Sequence, residues 1–192
     1  MLTIDPGHTA FLAMDFQNDV VARVGQSATA AAERAAVVLA AARQAAIPVI
    51  HVVVGFRPGY PEASPRNPAV STLRESGRFI LGAPGADIAA PLRPTDGEVV
   101  VVKHRVSAFA GTDLEMILRA RGIDTLVLSG LATGGVVLST VRTASDADYR
   151  LIVIKDACAD FDDEVHRVLT EKLFPRQATV VTAADLAPSL VA

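Results

Sequence analysis

The feature that most constrains this chain is a series of short apolar runs that lack in/out alternation. Ala10–Met14, Val49–Val54, Val99–Val102, Thr125–Ser129, Leu151–Ile154 and Thr179–Val181 are nearly continuous in Val, Ile, Leu and Ala. A strand with one wet face alternates apolar and polar residues, whereas a strand covered on both faces does not. Between these runs lie segments of helical period. Ser27 to Ala46 is Ala-rich and reads as a long helix. Thr112 with Glu115 three positions on forms a capping-box pattern, and Gly122 ends that helix. Helices are also predicted over Gly134–Ala147, over Asp162–Leu173 with acids in its first turn, and around Ala183–Leu186. Strand alternating with helix gives an α/β fold, three-layer and doubly wound, in a single domain spanning 1–192.

Composition narrows the function classes. Apolar residues make up 51% of 192, enough for a sizeable core. A net charge of −3 gives no pull on nucleic acid or an anionic membrane, and no apolar run is long enough to span a bilayer. The start of the chain has no basic, apolar leader pattern, and the one cysteine, Cys158, has no partner for an internal disulfide. The simplest compartment is the cytoplasm. The four histidines are scattered, so no metal site is expected, and His51 inside Val49–Val54 is expected to be packed. Phosphate-loop and dinucleotide fingerprints are missing, so no cofactor is expected and the partner is a small-molecule substrate.

Sites in such folds gather past the carboxyl ends of strands. Asp15, followed by Gln17, Asn18 and Asp19, ends the first run; Lys103, with His104 and Arg105, ends the third. Ser129 to Val137 carries glycines into a predicted helix start, whose N–H groups can bind an anion. Gly55–Pro68 is a proline-rich excursion holding Arg57 and Arg66, and Arg57 is a candidate carboxylate clamp. Each has a plainer reading: a turn for Asp15, a solvated loop for Lys103 and Arg57, tight packing for the glycines.

Taken together, the motifs resemble the isochorismatase-like (cysteine) hydrolase superfamily. The resemblance rests on Met14-Asp15-Phe16-Gln17-Asn18-Asp19, Lys103 to Leu114, Gly130-Leu131-Ala132-Thr133 and Asp156-Ala157-Cys158-Ala159-Asp160. It implies a Rossmann-like, six-stranded parallel sheet, homodimers or larger homo-oligomers, and a non-proline cis peptide at Leu131-Ala132. It also implies catalytic Asp15 and Lys103, with Gln17, Leu131, Ala132 and Gly135 binding substrate; Arg57, where isochorismatases resemble the segment with a Gln before Pro-Gly, is a substrate-binding candidate on its own chemistry. In the amidase branch the third motif continues Ala-Thr-Asp-x-Cys-Val; here Gly134 replaces the Asp and Val136 falls on the nucleophile. Valine offers no nucleophilic atom. Isochorismatases cleave a vinyl ether without needing the cysteine, so the expected activity is Cys-independent acid catalysis on a small anionic molecule. A dianionic substrate would neutralise Lys103 and Arg57 and so let Asp15 hold its proton. Two alternatives stand beside it: a non-catalytic small-molecule binder, or an amidase with a displaced nucleophile at Cys158, Ser139 or Thr133, none of them placed near a His base by sequence.

Overall fold

The computed structural model describes residues 4–190. Six strands form one all-parallel sheet: β1 (Thr9–Met14), β2 (Val49–Val54), β3 (Val99–Lys103), β4 (Thr125–Leu131), β5 (Arg150–Ala159) and β6 (Thr179–Val181). Their order is β3-β2-β1-β4-β5-β6. The chain winds outward from β1 to β3, then returns to the other side of β1 with β4. This reversal puts the topological switch point, where doubly wound folds bind ligands, beside the end of β1.

Seven α-helices accompany the sheet: α1 (Asn18–Val24), α2 (Gln26–Gln44), α3 (Pro68–Ser76), α4 (Leu114–Ala120), α5 (Leu138–Asp146), α6 (Asp163–Val168) and α7 (Ala183–Leu190). The missing alternation has a direct cause in β1. Phe11 and Ala13 enter a core shared with Ala35 and Leu39 of α2 and Leu186 of α7. Ala10, Leu12 and Met14 enter a second core, with Leu114 and Leu118 of α4 and Val141 of α5. Both faces are dry, so both sets of side chains are apolar.

All six strands lie where the apolar runs predict them, and β5 runs five residues further than Ile154, through Cys158. Several helix details differ. α1 and α3 were not predicted. The predicted Gly134–Ala147 helix opens as a π-helical turn, Thr133–Val137, before α5 begins. The Asp162–Leu173 helix likewise changes pitch at Leu169. The Thr112 capping box does not form: Thr112 Oγ1 binds Ala108 O at 2.6 Å and accepts from Leu114 N–H at 3.3 Å. Glu115 pairs instead with Arg119 one turn on. No described helix is long and apolar enough to cross a membrane.

Candidate active site

Asp15 is the first residue past β1, at φ 57°, a left-handed conformation that Asp tolerates better than most residues. Its N–H still reaches Val52 O at 2.8 Å, so the chain turns only after the ladder is complete. Gln17 then seals the exit. Its side-chain amide accepts from Val54 N–H at 2.9 Å and donates to Val54 O at 2.9 Å and Ala86 O at 2.8 Å. Gln17 is wholly buried in this clamp and does not border the cavity, so the predicted substrate contact is replaced by a positioning one.

Lys103 is the last residue of β3, two strands away across the sheet. Its Nζ lies 2.8 Å from Asp15 Oδ2 and donates to Arg105 O at 3.1 Å. Both side chains are buried, 9% exposed for Asp15 and 3% for Lys103. Among the described residues Asp15 Oδ1 is buried and has no hydrogen-bond partner. Burial pushes the Asp15 carboxyl above its ordinary value and outweighs the opposing pull of Lys103.

The pair forms the floor of a cavity of about 190 Å³. Leu131, Ala132, Gly135 and Val136 make one wall, so the structure brings together Asp15, Lys103 and four of the residues expected around them. Val20 of α1, Val70 and Leu73 of α3, and Arg23, His104, Arg105 and Phe161 also line the cavity. Gly130 allows this closeness, since a Cβ there would stand 2.8 Å from Met14 O.

Arg57 is not part of this cavity. It is 67% exposed and its guanidinium is held by Glu62, five residues on. The loop turns back on itself, so its own carboxylate captures the cation that was expected to clamp substrate. Arg66 is exposed and also lies outside the cavity. Besides Lys103, the cations that line it are Arg23 and Arg105. Arg23 lies on a helix too short for periodicity to reveal; Arg105 was named beside Lys103, where the strand end gave the signal.

The turn after β4 carries a second correction. The Leu131-Ala132 peptide is cis, as the resemblance implied. The expected free N–H groups, however, are partly taken: Gly134 N–H donates to Asp160 Oδ2 at 2.5 Å and Gly135 N–H to Ala132 O at 3.1 Å. A Cβ at Gly134 would meet Val165 at 3.0 Å and Asp160 Oδ2 at 3.2 Å. Asp160 thus fills from the β5–α6 side the room that a longer residue would need. His166 of α6 stands 2.8 Å from Thr133 Oγ1 through Nδ1, a contact across 33 residues that sequence spacing hides. Thr133 is wholly buried and does not line the cavity.

The sole thiol sits elsewhere. Cys158 packs within β5 beside Gly130, outside the cavity, and burial pushes its pKa up to about 12. Asp156, two residues earlier, accepts from Ala183 N–H at 2.7 Å and so fixes the start of α7.

A family model for the isochorismatase domain matches residues 9–185. The chain belongs to the isochorismatase family. Over 192 residues it is 33% identical to the isochorismatase family protein YecD of Escherichia coli O157:H7, covering 99% of this chain and 100% of that one. It is 35% identical to the ureidoacrylate amidohydrolase RutB of Methylobacterium radiotolerans, over 81% of this chain and 69% of that one. The structure of an isochorismatase family protein from Burkholderia thailandensis superposes with a TM-score of 0.84 at 31% identity, covering 99% and 98% of the two chains.

Proposed function

We propose that this isochorismatase-family hydrolase acts on a small anionic molecule without a cysteine, by acid catalysis of the vinyl-ether type. The observation that carries the reading is the buried Asp15–Lys103 pair facing a cavity whose wall, at the position where the family nucleophile falls, is Val136. Asp15 donates its proton to the β-carbon of the enol ether, using the C=C electron pair to form the C–H bond. The ether oxygen shares a lone pair and leaves an oxocarbenium ion. Water adds to that carbon and returns a proton to Asp15; the resulting hemiketal expels the alcohol and leaves a carbonyl. Burial favours the protonated carboxyl, while Lys103 stabilises the carboxylate formed as the proton leaves. The apolar side chains among the lining, Val20, Val70, Leu73 and Val136, limit the water that reaches the cation.

A second reading is amide hydrolysis with a displaced nucleophile. RutB is named an amidohydrolase, and Thr133 does have a ring nitrogen at 2.8 Å. The buried Thr133 hydroxyl would have to turn into the cavity for this to work. Cys158 is a poorer candidate still, because a thiol near pKa 12 yields almost no thiolate. A non-catalytic binder would keep the cavity and show no turnover.

One panel separates these: vinyl ethers, amides and ureides offered to the wild type, Asp15→Asn, Thr133→Val and Val136→Cys. The acid reading expects vinyl-ether turnover lost in Asp15→Asn, kept in Thr133→Val, and little amidase activity gained in Val136→Cys. Amidase turnover in Val136→Cys on the order of 10 s⁻¹, an ordinary enzyme value, would mean the acyl-transfer machinery is intact and the reading wrong. Amide turnover by the wild type that Thr133→Val abolishes would establish the second reading.

A further inference from the structure

The cavity is graded from a closed floor to an open mouth. Asp15 and Lys103 at the floor are buried, whereas Arg23 is exposed and Phe161 is 56% exposed. Charge follows the same gradient. At the floor Lys103 Nζ is already engaged, by Asp15 Oδ2 at 2.8 Å and by Arg105 O at 3.1 Å. At the mouth stand two guanidiniums, and Asp15 is the sole carboxylate lining the cavity. An otherwise acidic chain, net −3, therefore presents unbalanced positive charge at this opening.

The hydrogen bonds of Arg105 sharpen the point. Both are made by Nη1, to His104 O at 2.7 Å and Glu62 O at 3.2 Å. They lock the guanidinium plane, and the edge formed by Nε and Nη2 makes no hydrogen bond to any described residue. Two parallel N–H groups on one edge match the two oxygens of a carboxylate. Among the described residues neither Arg105 nor Arg23 has a carboxylate within ion-pair distance. Arg23 is steadied differently, its guanidinium 5.1 Å from the centre of the Phe161 ring. Arg105 also borders a second cleft with Glu62, but an anion there would face the Glu62 carboxylate.

Resting on the assignment of this cavity as the substrate site, we infer that Arg105, assisted by Arg23, binds a substrate carboxylate at the mouth. The ligand class is an amphiphilic monoanion. Its carboxylate lies on the Arg105 edge, its apolar or aromatic body against Val70, Leu73 and Val136, and its uncharged reacting end over Asp15. A second negative charge at the floor would meet only Lys103, whose Nζ already donates to Asp15 and to Arg105 O. The cavity of about 190 Å³ is below the roughly 300–1,000 Å³ of drug-sized sites, so the molecule is small.

The test is calorimetric binding at low ionic strength and neutral pH, using trans-cinnamate, cinnamyl alcohol and 4-carboxycinnamate as probes. The wild type is expected to bind cinnamate and to bind the alcohol and the dianion more weakly. Arg105→Met is expected to weaken cinnamate about 10- to 100-fold, the usual range for losing hydrogen bonds to a charged group, and Arg23→Met several-fold. The weak affinity for the alcohol should stay the same in both. Should Arg105→Met fail to fold, Arg105→Lys, which keeps the charge but loses the planar edge, should still weaken cinnamate. Undiminished cinnamate affinity in these variants, equal affinity for acid and alcohol, tighter binding of the dianion, or no binding of any probe would each overturn the inference. Because binding is read without turnover, an absence of catalysis would count against the acid mechanism alone.

Discussion

Two carboxyl groups in this molecule, Asp15 buried and Glu98 partly buried, meet cations at nearly the same distance and have their pKa values shifted in opposite directions. Asp15 lies 2.8 Å from Lys103, and Glu98 lies 2.7 Å from Arg43. Glu98 is surrounded by donors: Arg43 through Nε and Nη2, His51 Nε2 and Thr95 N–H. Those bonds, led by Arg43, hold its pKa down at about 2 against the cost of burial. Asp15 Oδ2 is held by Lys103 and Oδ1 makes no hydrogen bond; burial outweighs the pull of Lys103 and the weaker pull of the Val54 backbone N–H, and its pKa rises. An ion-pair distance alone does not say what a carboxyl is for. The number of donors around it does: Glu98 ties α2 to the start of β3, while Asp15 is kept short of donors and faces a cavity.

The largest expected effect separates the two by activity. Asp15→Asn should lower vinyl-ether turnover by about 10²–10⁴-fold, the usual contribution of a general acid. Glu98→Gln should leave it within a few-fold. Steady-state kinetics on both variants checks this, and equal losses would erase the distinction.

Stability should then respond to pH with opposite slopes. Lys103→Met removes the cation that lowers the Asp15 pKa, so that pKa climbs further. A carboxyl whose folded pKa is raised loses stability as pH rises from its unfolded value through its folded one. Lys103→Met is therefore expected to cost about 3 kcal/mol at pH 8, and progressively less as pH falls toward the ordinary carboxyl value of 3.8. Glu98 runs the other way. Its contribution is present above about 4.5 and is lost as pH falls through about 2. Glu98→Gln should cost about 2 kcal/mol at pH 7, shrinking toward pH 2. Urea unfolding across pH reads both, and parallel slopes would break the comparison.

The smallest effect concerns the thiol. Cys158 in the native protein should resist iodoacetamide at pH 8, and turnover should be unchanged after the exposure. Rapid labelling with loss of activity would return the thiol to the mechanism.

The comparison also shows what a reader of the sequence can reach. The sheet was legible because each strand is dry on both faces, which leaves a pattern in every run from Ala10 to Val181. Asp15 and Lys103 were legible because the end of a strand is a position in sequence as well as in space, and Val136 because the family motif aligns through Ala132 and Thr133. The roles of Gln17 and Arg57 were not. Gln17 spends its amide on Val54 and Ala86, and Arg57 on Glu62, choices made by how the loop folds back. Arg23 lay on a seven-residue helix, too short to show a period. The contacts of Asp160 with Gly134 and of His166 with Thr133 join segments 26 and 33 residues apart, which only the packing of α6 on the turn brings together.

The account turns on Asp15 being held ready to give up a proton. Its side-chain carboxyl can be titrated by carbon-detected NMR, with Glu98 followed in the same samples. The account predicts an Asp15 midpoint above the ordinary 3.8 and a Glu98 midpoint at about 2. An Asp15 midpoint at or below 3.8, alongside Glu98, would show a carboxylate locked to Lys103 and would contradict the acid role.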